Sequence, residues 1–114
     1  MANKIILKKK IFIFKKKISI PGDKSISIRW VLISSIANGV SAAKNLLMSE
    51  DVLAAIQAIK KLGVKVSTTN NICKVYGVGV RGYRYKKGLV INAQNSGTLG
   101  RLILGAIIDT PYPI

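Results

Sequence analysis

The sequence predicts an α/β fold built of repeated strand–helix units. Three observations carry that expectation. Short β-branched runs alternate with polar residues, the stretch from Ser25 to Ile36 contains neither Gly nor Pro, and Leu53, Ile56, Ile59 and Leu62 recur at near-helical spacing. The 114 residues are enough for one compact domain and too few for two of ordinary size. A hydrophobic share of 49% against 20% charged supports a folded core.

The elements follow in chain order. Ile5-Ile6-Leu7 and Ile11-Phe12-Ile13-Phe14 are β-branched or aromatic runs bounded by lysine triplets, and read as two short strands. Ile18-Ser19-Ile20 reads as a third, ended by the turn pair Pro21-Gly22. A mostly buried helix is expected from Ser25 to a stop at Asn38-Gly39, with Asp23 or Ser25 as its N-cap. Ser41 to Leu47 is a strand candidate. Ser49 then caps a second helix with Glu50-Asp51 in its first turn, Lys60-Lys61 in its last and Gly63 as its stop, a charge order that suits the helix dipole. Val64 to Thr68 and Ile72 to Tyr76 flank Asn70-Asn71 as a hairpin. Gly77 to Lys87 reads as a strand with a loop, and Leu89-Val90-Ile91 as a further strand. Asn95-Ser96-Gly97-Thr98 opens a third helix running to about Ile108.

Composition excludes several kinds of chemistry. The chain has no His, which removes His-based metal sites and His triads, and its single cysteine, Cys73, forbids an internal disulfide. No apolar run approaches the ~20 residues of a membrane helix. Met1 to Lys17 has no signal-peptide core, its lysine blocks do not form one face of an amphipathic surface helix, and a cytoplasmic location is expected. Nineteen Lys+Arg against four Asp+Glu give a net charge of +15, a field that attracts any polyanion or anionic metabolite without choosing among them. Lysine-rich composition with solvated surface charge accounts for many of these residues equally well.

Two segments have the form of an anion site. Pro21-Gly22-Asp23-Lys24-Ser25-Ile26-Ser27-Ile28-Arg29 leads from a turn into a helix whose first N–H groups lack intrahelical partners. Ser25 adds a hydroxyl, Lys24 a point charge, and Arg29 lies four residues beyond Ser25 on the same face with a fork suited to carboxylate or phosphate. Asn92-Ala93-Gln94-Asn95-Ser96-Gly97-Thr98-Leu99-Gly100-Arg101 repeats the design, with Gly97 permitting close approach to the backbone. It lacks the spacing of a Walker loop. Each start taken alone is equally an ordinary capped helix. Two in one small basic domain suggest a pocket for a ligand with more than one negative group.

Read together, these segments resemble the enolpyruvyl transferases, specifically the 5-enolpyruvylshikimate-3-phosphate synthase family. Pro21 to Ser27 with Arg29 resembles that family's N-terminal signature. Asn45-Leu46-Leu47 with Ser49-Glu50-Asp51 resembles the strand-to-helix junction that follows, and Asn92-Ala93, Asn95-Ser96-Gly97-Thr98 and Arg101-Leu102 resemble the second signature. Order and spacing fit from about Ile18 to Gly105. The resemblance implies part of an inverse α/β prism and transfer of the enolpyruvyl group of phosphoenolpyruvate to the 5-hydroxyl of shikimate 3-phosphate, with no metal or organic cofactor. It places Lys24, Ser25 and Arg29 on shikimate 3-phosphate, and Lys24, Asn95 and Gly97 on phosphoenolpyruvate.

The resemblance also implies a chain several times longer, with two similar domains closing on the substrates. Residues 1–21 would belong to the domain completed by the C-terminal half, leaving Ile5 to Phe14 without sheet partners, and residues 22–114 would form an incomplete substrate-binding domain. None of the four acids is expected to act as general base, and turnover is not expected of the chain alone; the missing half would come from a second chain or from a longer reading frame, and a nonfunctional relic that keeps the motifs without it is the third reading. Ile28, Gln94 and Gly100 depart from the family pattern, and weakened substrate binding or relaxed selection would each account for them. Gly100 in an early helical turn costs about 1 kcal/mol relative to Ala. The related UDP-N-acetylglucosamine enolpyruvyl transferase shares the fold but sets its lysine in a different local sequence. A basic nucleic-acid or polyanion-binding module is the alternative of another class, against which stand the scarcity of aromatic residues and the absence of a nucleic-acid-binding motif.

Overall fold

The computed structural model describes residues 3–10, 12–13 and 15–114. Within them the chain runs α1 (Lys24–Ile36), β1 (Asn38–Lys44), α2 (Glu50–Lys61), β2 (Lys65–Thr69), β3 (Ile72–Val78) and α3 (Gly97–Ile107). This is the expected α/β class.

Asp23 settles where α1 begins: its backbone is extended and its carboxylate accepts the Ile26 N–H at 2.7 Å. Ile28, Val31 and Leu32 recur at helical spacing and are buried, while Ile26, Arg29 and Ile33 face outward. In α2, Val52, Ala55, Ile56 and Ile59 form the buried face and Leu62 closes it. Leu53 lies outside that face, 43% exposed, because a strict three-residue spacing drifts around a helix of 3.6 residues per turn. Gly63, with φ of +88°, takes the left-handed turn that ends the helix.

The sheet order is β1-β3-β2, with β3 antiparallel to both neighbours. β1 and β2 therefore run parallel, connected through α2, and the third strand in chain order lies between them. Asn70 and Asn71, both with positive φ, make the hairpin turn that delivers β3 to this place. As the central strand, β3 supplies the buried sheet residues Cys73 and Val75. Helices α1 and α2 pack together and against the sheet, and α3 packs on the helices.

Several strand expectations are corrected. β1 starts at Asn38, three residues early, so Asn38-Gly39 belongs to the strand, which ends where Asn45 turns to φ of 58°. Leu89-Val90-Ile91 forms no strand. Leu89 and Ile91 pack on the core without a neighbouring strand to pair with, and the Val90 carbonyl accepts the Lys61 ammonium at 3.1 Å. Among the described residues of 3–21 there is likewise no strand, and the segment is exposed throughout. A β-branched run pairs only where a sheet edge is offered to it. Ile11 and Phe14, part of one expected strand, lie outside the described residues. No helix of the described residues is long and apolar enough to cross a membrane.

One polar contact seals the core. The hydroxyls of Ser35 and Tyr83 lie 2.5 Å apart, and Ser35 also donates to the Leu32 carbonyl at 2.6 Å. Burial pushes the Tyr83 phenol above its ordinary value of 10.0, and the Ser35 hydrogen bond offsets part of that. The fold thus holds the neutral phenol, and the unfolded chain loses its proton first. The contribution of Tyr83 is complete below about pH 10 and is lost as pH rises from there towards the folded value. Urea unfolding between about pH 9 and 11 should lose stability more steeply in the parent chain than in Tyr83→Phe. Burial shifts the Cys73 thiol in the same direction, so the difference between the two chains isolates the phenol. Equal slopes would show that Tyr83 titrates alike in both states.

Candidate functional site

The first signature segment and the residue before it are fastened to the β1–α2 junction and the start of α2 by four contacts. Gly22 approaches so closely that a Cβ there would stand 2.2 Å from the Asn45 carbonyl oxygen and 3.0 Å from the Leu47 nitrogen. Ser27 is buried; its hydroxyl donates to the Asp23 carbonyl at 2.6 Å and accepts the Leu47 N–H at 3.1 Å. Lys24 pairs with Asp51 of α2 at 3.0 Å, and Asn45 Nδ2 donates to the Ile20 carbonyl at 3.1 Å. Asn45, Leu47 and Asp51 belong to the second stretch singled out in the sequence, so the two stretches form one local structure.

Lys24 and Arg29 are exposed and Ser25 is half-buried beside them. Arg29 donates through Nη1 to the Ser25 carbonyl at 3.1 Å, which holds the guanidinium along its own helix. The start of α1 is not a bare anion seat, because the Asp23 carboxylate already takes the Ile26 N–H. An anion here meets side-chain cations and a hydroxyl, with Asp23 and Asp51 as competing negative groups.

The second helix start has a neutral cap. Ser96 is buried, and its hydroxyl accepts the Leu99 N–H at 3.1 Å. Asn92 Oδ1 accepts the Gln94 N–H at 2.8 Å, and Gln94, with φ of 50°, bends the chain into the helix. Asn95, ahead of the helix, and Gly97, its first residue, are exposed. A Cβ on Gly97 would lie 3.7 Å from Nη1 of Arg101, so that guanidinium reaches back towards Gly97. Arg101 was part of the second signature but not among the expected ligand residues. Its position three to four residues from Gly97 and Thr98 is the signal that marks it, since such spacing places side chains on one helix face. Helices α1 and α3 pack together, and Arg29 and Leu102 line a common groove.

Of the departures from the signatures, Ile28 is fully buried in the core, so it serves packing and does not face a ligand. Gly100 has room for a methyl group, the nearest neighbour of a Cβ being the Ala93 side chain at 3.8 Å. Sequence reasoning missed the Lys24–Asp51 pair, which joins residues far apart in the chain.

The fold and its two helix starts define an α/β unit of the enolpyruvyl transferase type. The chain belongs to the EPSP synthase (3-phosphoshikimate 1-carboxyvinyltransferase) family, whose model matches residues 9–112. It is 41% identical over 96 residues to the 3-phosphoshikimate 1-carboxyvinyltransferase of Desulforamulus reducens, covering 83% of this chain and 22% of that relative. With the enzyme of the same name from Thermoanaerobacter sp. the identity is 43% over 108 residues, 95% of this chain and 25% of the relative. The solved EPSP synthase from Acinetobacter baumannii superposes with a TM-score of 0.73 at 36% identity, over 82% of this chain and 21% of that one. The chain thus spans a quarter or less of the curated relatives' length, and the match lies in their N-terminal portion.

Two substitutions separate the steric contact from the ionic one. Gly22→Ala should cost about 1–3 kcal/mol in urea unfolding, because a Cβ cannot coexist with the Asn45 carbonyl without backbone movement. Asp51→Asn should cost less than about 1 kcal/mol, since Lys24 is half exposed. A harmless Gly22→Ala would show that the turn does not need its close contact with Asn45.

Proposed function

We propose that this chain forms part of a site that transfers the enolpyruvyl group of phosphoenolpyruvate to the 5-hydroxyl of shikimate 3-phosphate, a step towards aromatic amino acids. In this reading Lys24, Ser25 and Arg29 bind shikimate 3-phosphate, and Lys24, Asn95 and Gly97 line the phosphoenolpyruvate side. The observation that carries it is the fastening of α1's first turn to α2: Lys24 beside Asp51, Ser25 next to it and Arg29 one helical turn on.

Both substrates are multiply anionic, so both are attracted by a chain of charge +15. The 5-hydroxyl oxygen adds to the central carbon of phosphoenolpyruvate as its methylene carbon takes a proton. Loss of phosphate and of a methyl proton from the tetrahedral intermediate then regenerates the double bond. Positive charge builds at the central carbon during addition and again as phosphate leaves. The residues here serve positioning and phosphate charge, and the proton transfers fall to groups outside this chain. We assign residues 1–21 to the part of the fold completed by the remaining polypeptide, supplied by a second chain or by continuation of this one. Residues 22–114 form the incomplete substrate-binding unit, and the working location is the cytoplasm.

Asp51 acts on this site through Lys24 as a positioning residue. Half-exposed ion pairs are worth little, about 0–1 kcal/mol, so an incoming phosphate can recruit the ammonium at small cost. The exposed lysine triplets at Lys8-Lys9-Lys10 and Lys15-Lys16-Lys17 favour nonspecific polyanion binding as the second reading.

Titration with shikimate 3-phosphate at fixed moderate salt, followed by the fluorescence of half-buried Trp30, decides between them. Saturable binding is expected that falls at least about tenfold in Lys24→Ala and in Arg29→Ala, each a lost charged hydrogen bond. Inorganic phosphate should compete poorly. Equal responses to phosphate and shikimate 3-phosphate, with a steep decline as salt rises, would favour the polyanion reading.

A further inference from the structure

Each strand of the sheet carries one lysine, and all three lysines face the same way. The antiparallel register sets Lys65 of β2 opposite Tyr76 of β3, Ser67 opposite Lys74, and Lys44 of β1 opposite Ile72. Paired residues share a face and alternate residues return to it, so Lys44, Lys65 and Lys74 stand with Tyr76 on one side. Cys73 and Val75 point to the other side, where the helices bury them. The three lysines are exposed, and none of the chain's four acids lies in a strand. From β2 through β3 to β1 they form a diagonal with about 8 Å between successive Cα positions, given ~4.8 Å between strands and ~3.3 Å per residue. Tyr76 is half-buried on the central strand, and Lys65 Nζ lies 5.1 Å from its ring centroid. Ser67, Thr69 and Asn70 line a depression of about 260 Å³ beside Lys74 and Tyr76.

We propose that this sheet face binds a short run of single-stranded nucleic acid. It does not depend on the reading of the helix starts, since Lys24 and Arg29 belong to α1, on the opposite side of the sheet. A diagonal of ammonium groups with no acid among them complements a phosphate backbone, and a half-exposed ring between them offers a base its π-face. An exposed cation–π contact is weaker than the stacking of a base on an aromatic ring, so Lys65 leaves the ring for a phosphate as a base takes its place. The hydroxyls and amide of the depression supply hydrogen bonds to sugar and phosphate oxygens. A duplex does not fit, because its bases are already stacked and its major groove admits a helix or a two-stranded ribbon, not an open sheet face. Tyr83 is buried and Tyr85 is held against Tyr112, so Tyr76 is the ring this face presents.

The test follows the anisotropy of a fluorescein-labelled oligothymidylate about 10 nucleotides long, titrated with the chain over a range of salt. Two triple variants remove equal charge: Lys44→Gln/Lys65→Gln/Lys74→Gln from the sheet face and Lys15→Gln/Lys16→Gln/Lys17→Gln from the exposed N-terminal segment. The sheet triple should weaken binding at least about tenfold and lower the salt slope by about 2, the share of three phosphate contacts on a single strand. The other triple should weaken it less than about threefold at the same salt. Tyr76→Thr should weaken it at least about fivefold with an unchanged slope, and Tyr76→Phe should stay within about twofold of the parent, because stacking needs the ring and not the hydroxyl. Thermal midpoints check that the variants fold. Should Tyr76→Thr unfold, the two lysine triples decide alone, since all six positions are exposed. Equal losses in both triples would mean attraction by the whole chain's charge and overturn the proposal. So would a duplex of the same length that binds as tightly as the single strand. Phosphatidylserine vesicles that bind through the sheet lysines while oligothymidylate does not would assign the face to a membrane, and also overturn it.

Discussion

Where the chain turns at Pro21-Gly22, its backbone lies against the Asn45 carbonyl with no room for a side chain, and α1 starts directly from that contact. The rest of the arrangement hangs on this junction. Ser27, one turn into the helix, has its hydroxyl satisfied on both sides, by the Asp23 carbonyl and the Leu47 N–H. Such buried hydrogen bonds contribute about 1 kcal/mol each, and more is lost if one partner is left unpaired. Lys24 is half exposed, so its pair with the more buried Asp51 adds little to stability. Sterics and hydrogen bonding therefore fix the helix start, and the ion pair directs the ammonium once the start is fixed.

This division of labour sets the chemistry of the outer face. Ile28, Val31 and Leu32 hold α1 against the core, so Ser25 and Arg29 have one orientation available to them, away from it. With Asp23 on the Ile26 N–H, the helix contributes a platform for side chains more than a seat of bare amides. At α3 the balance reverses. A neutral serine caps the helix, Gly97 keeps the backbone open, and the Arg101 guanidinium leans towards it. Two helix starts of similar sequence thus offer different kinds of cationic surface.

How far this was legible in the sequence depends on the range of the interaction. Local signals read well. The acid-first, base-last order of Glu50-Asp51 and Lys60-Lys61 marked α2, Gly63 marked its end, and Asn70-Asn71 marked the hairpin. Strands without a local partner did not read well. Leu89-Val90-Ile91 and the runs before Pro21 have strand composition, and composition does not say whether a sheet edge is available. Ile28 was legible in principle, since its spacing with Val31 and Leu32 marks the core face while Ser25 and Arg29 mark the outer one. The Lys24–Asp51 pair was not, because it depends on how α1 and α2 cross.

The exposed helix faces and the net charge act in opposite directions on association. Exposed Ile26, Ile33, Leu104 and Ile108 favour association, and a net charge of +15 opposes it. The two tendencies select a partner by sign. A like-charged copy gains the apolar contact and pays the repulsion, whereas a surface without that charge gains the contact freely. Salt weakens the discrimination, because screening shortens the reach of exposed charges to about 8 Å at physiological strength and leaves apolar contact intact. A net charge of +15 therefore acts against pairing of like copies through this face, and does so less as salt rises.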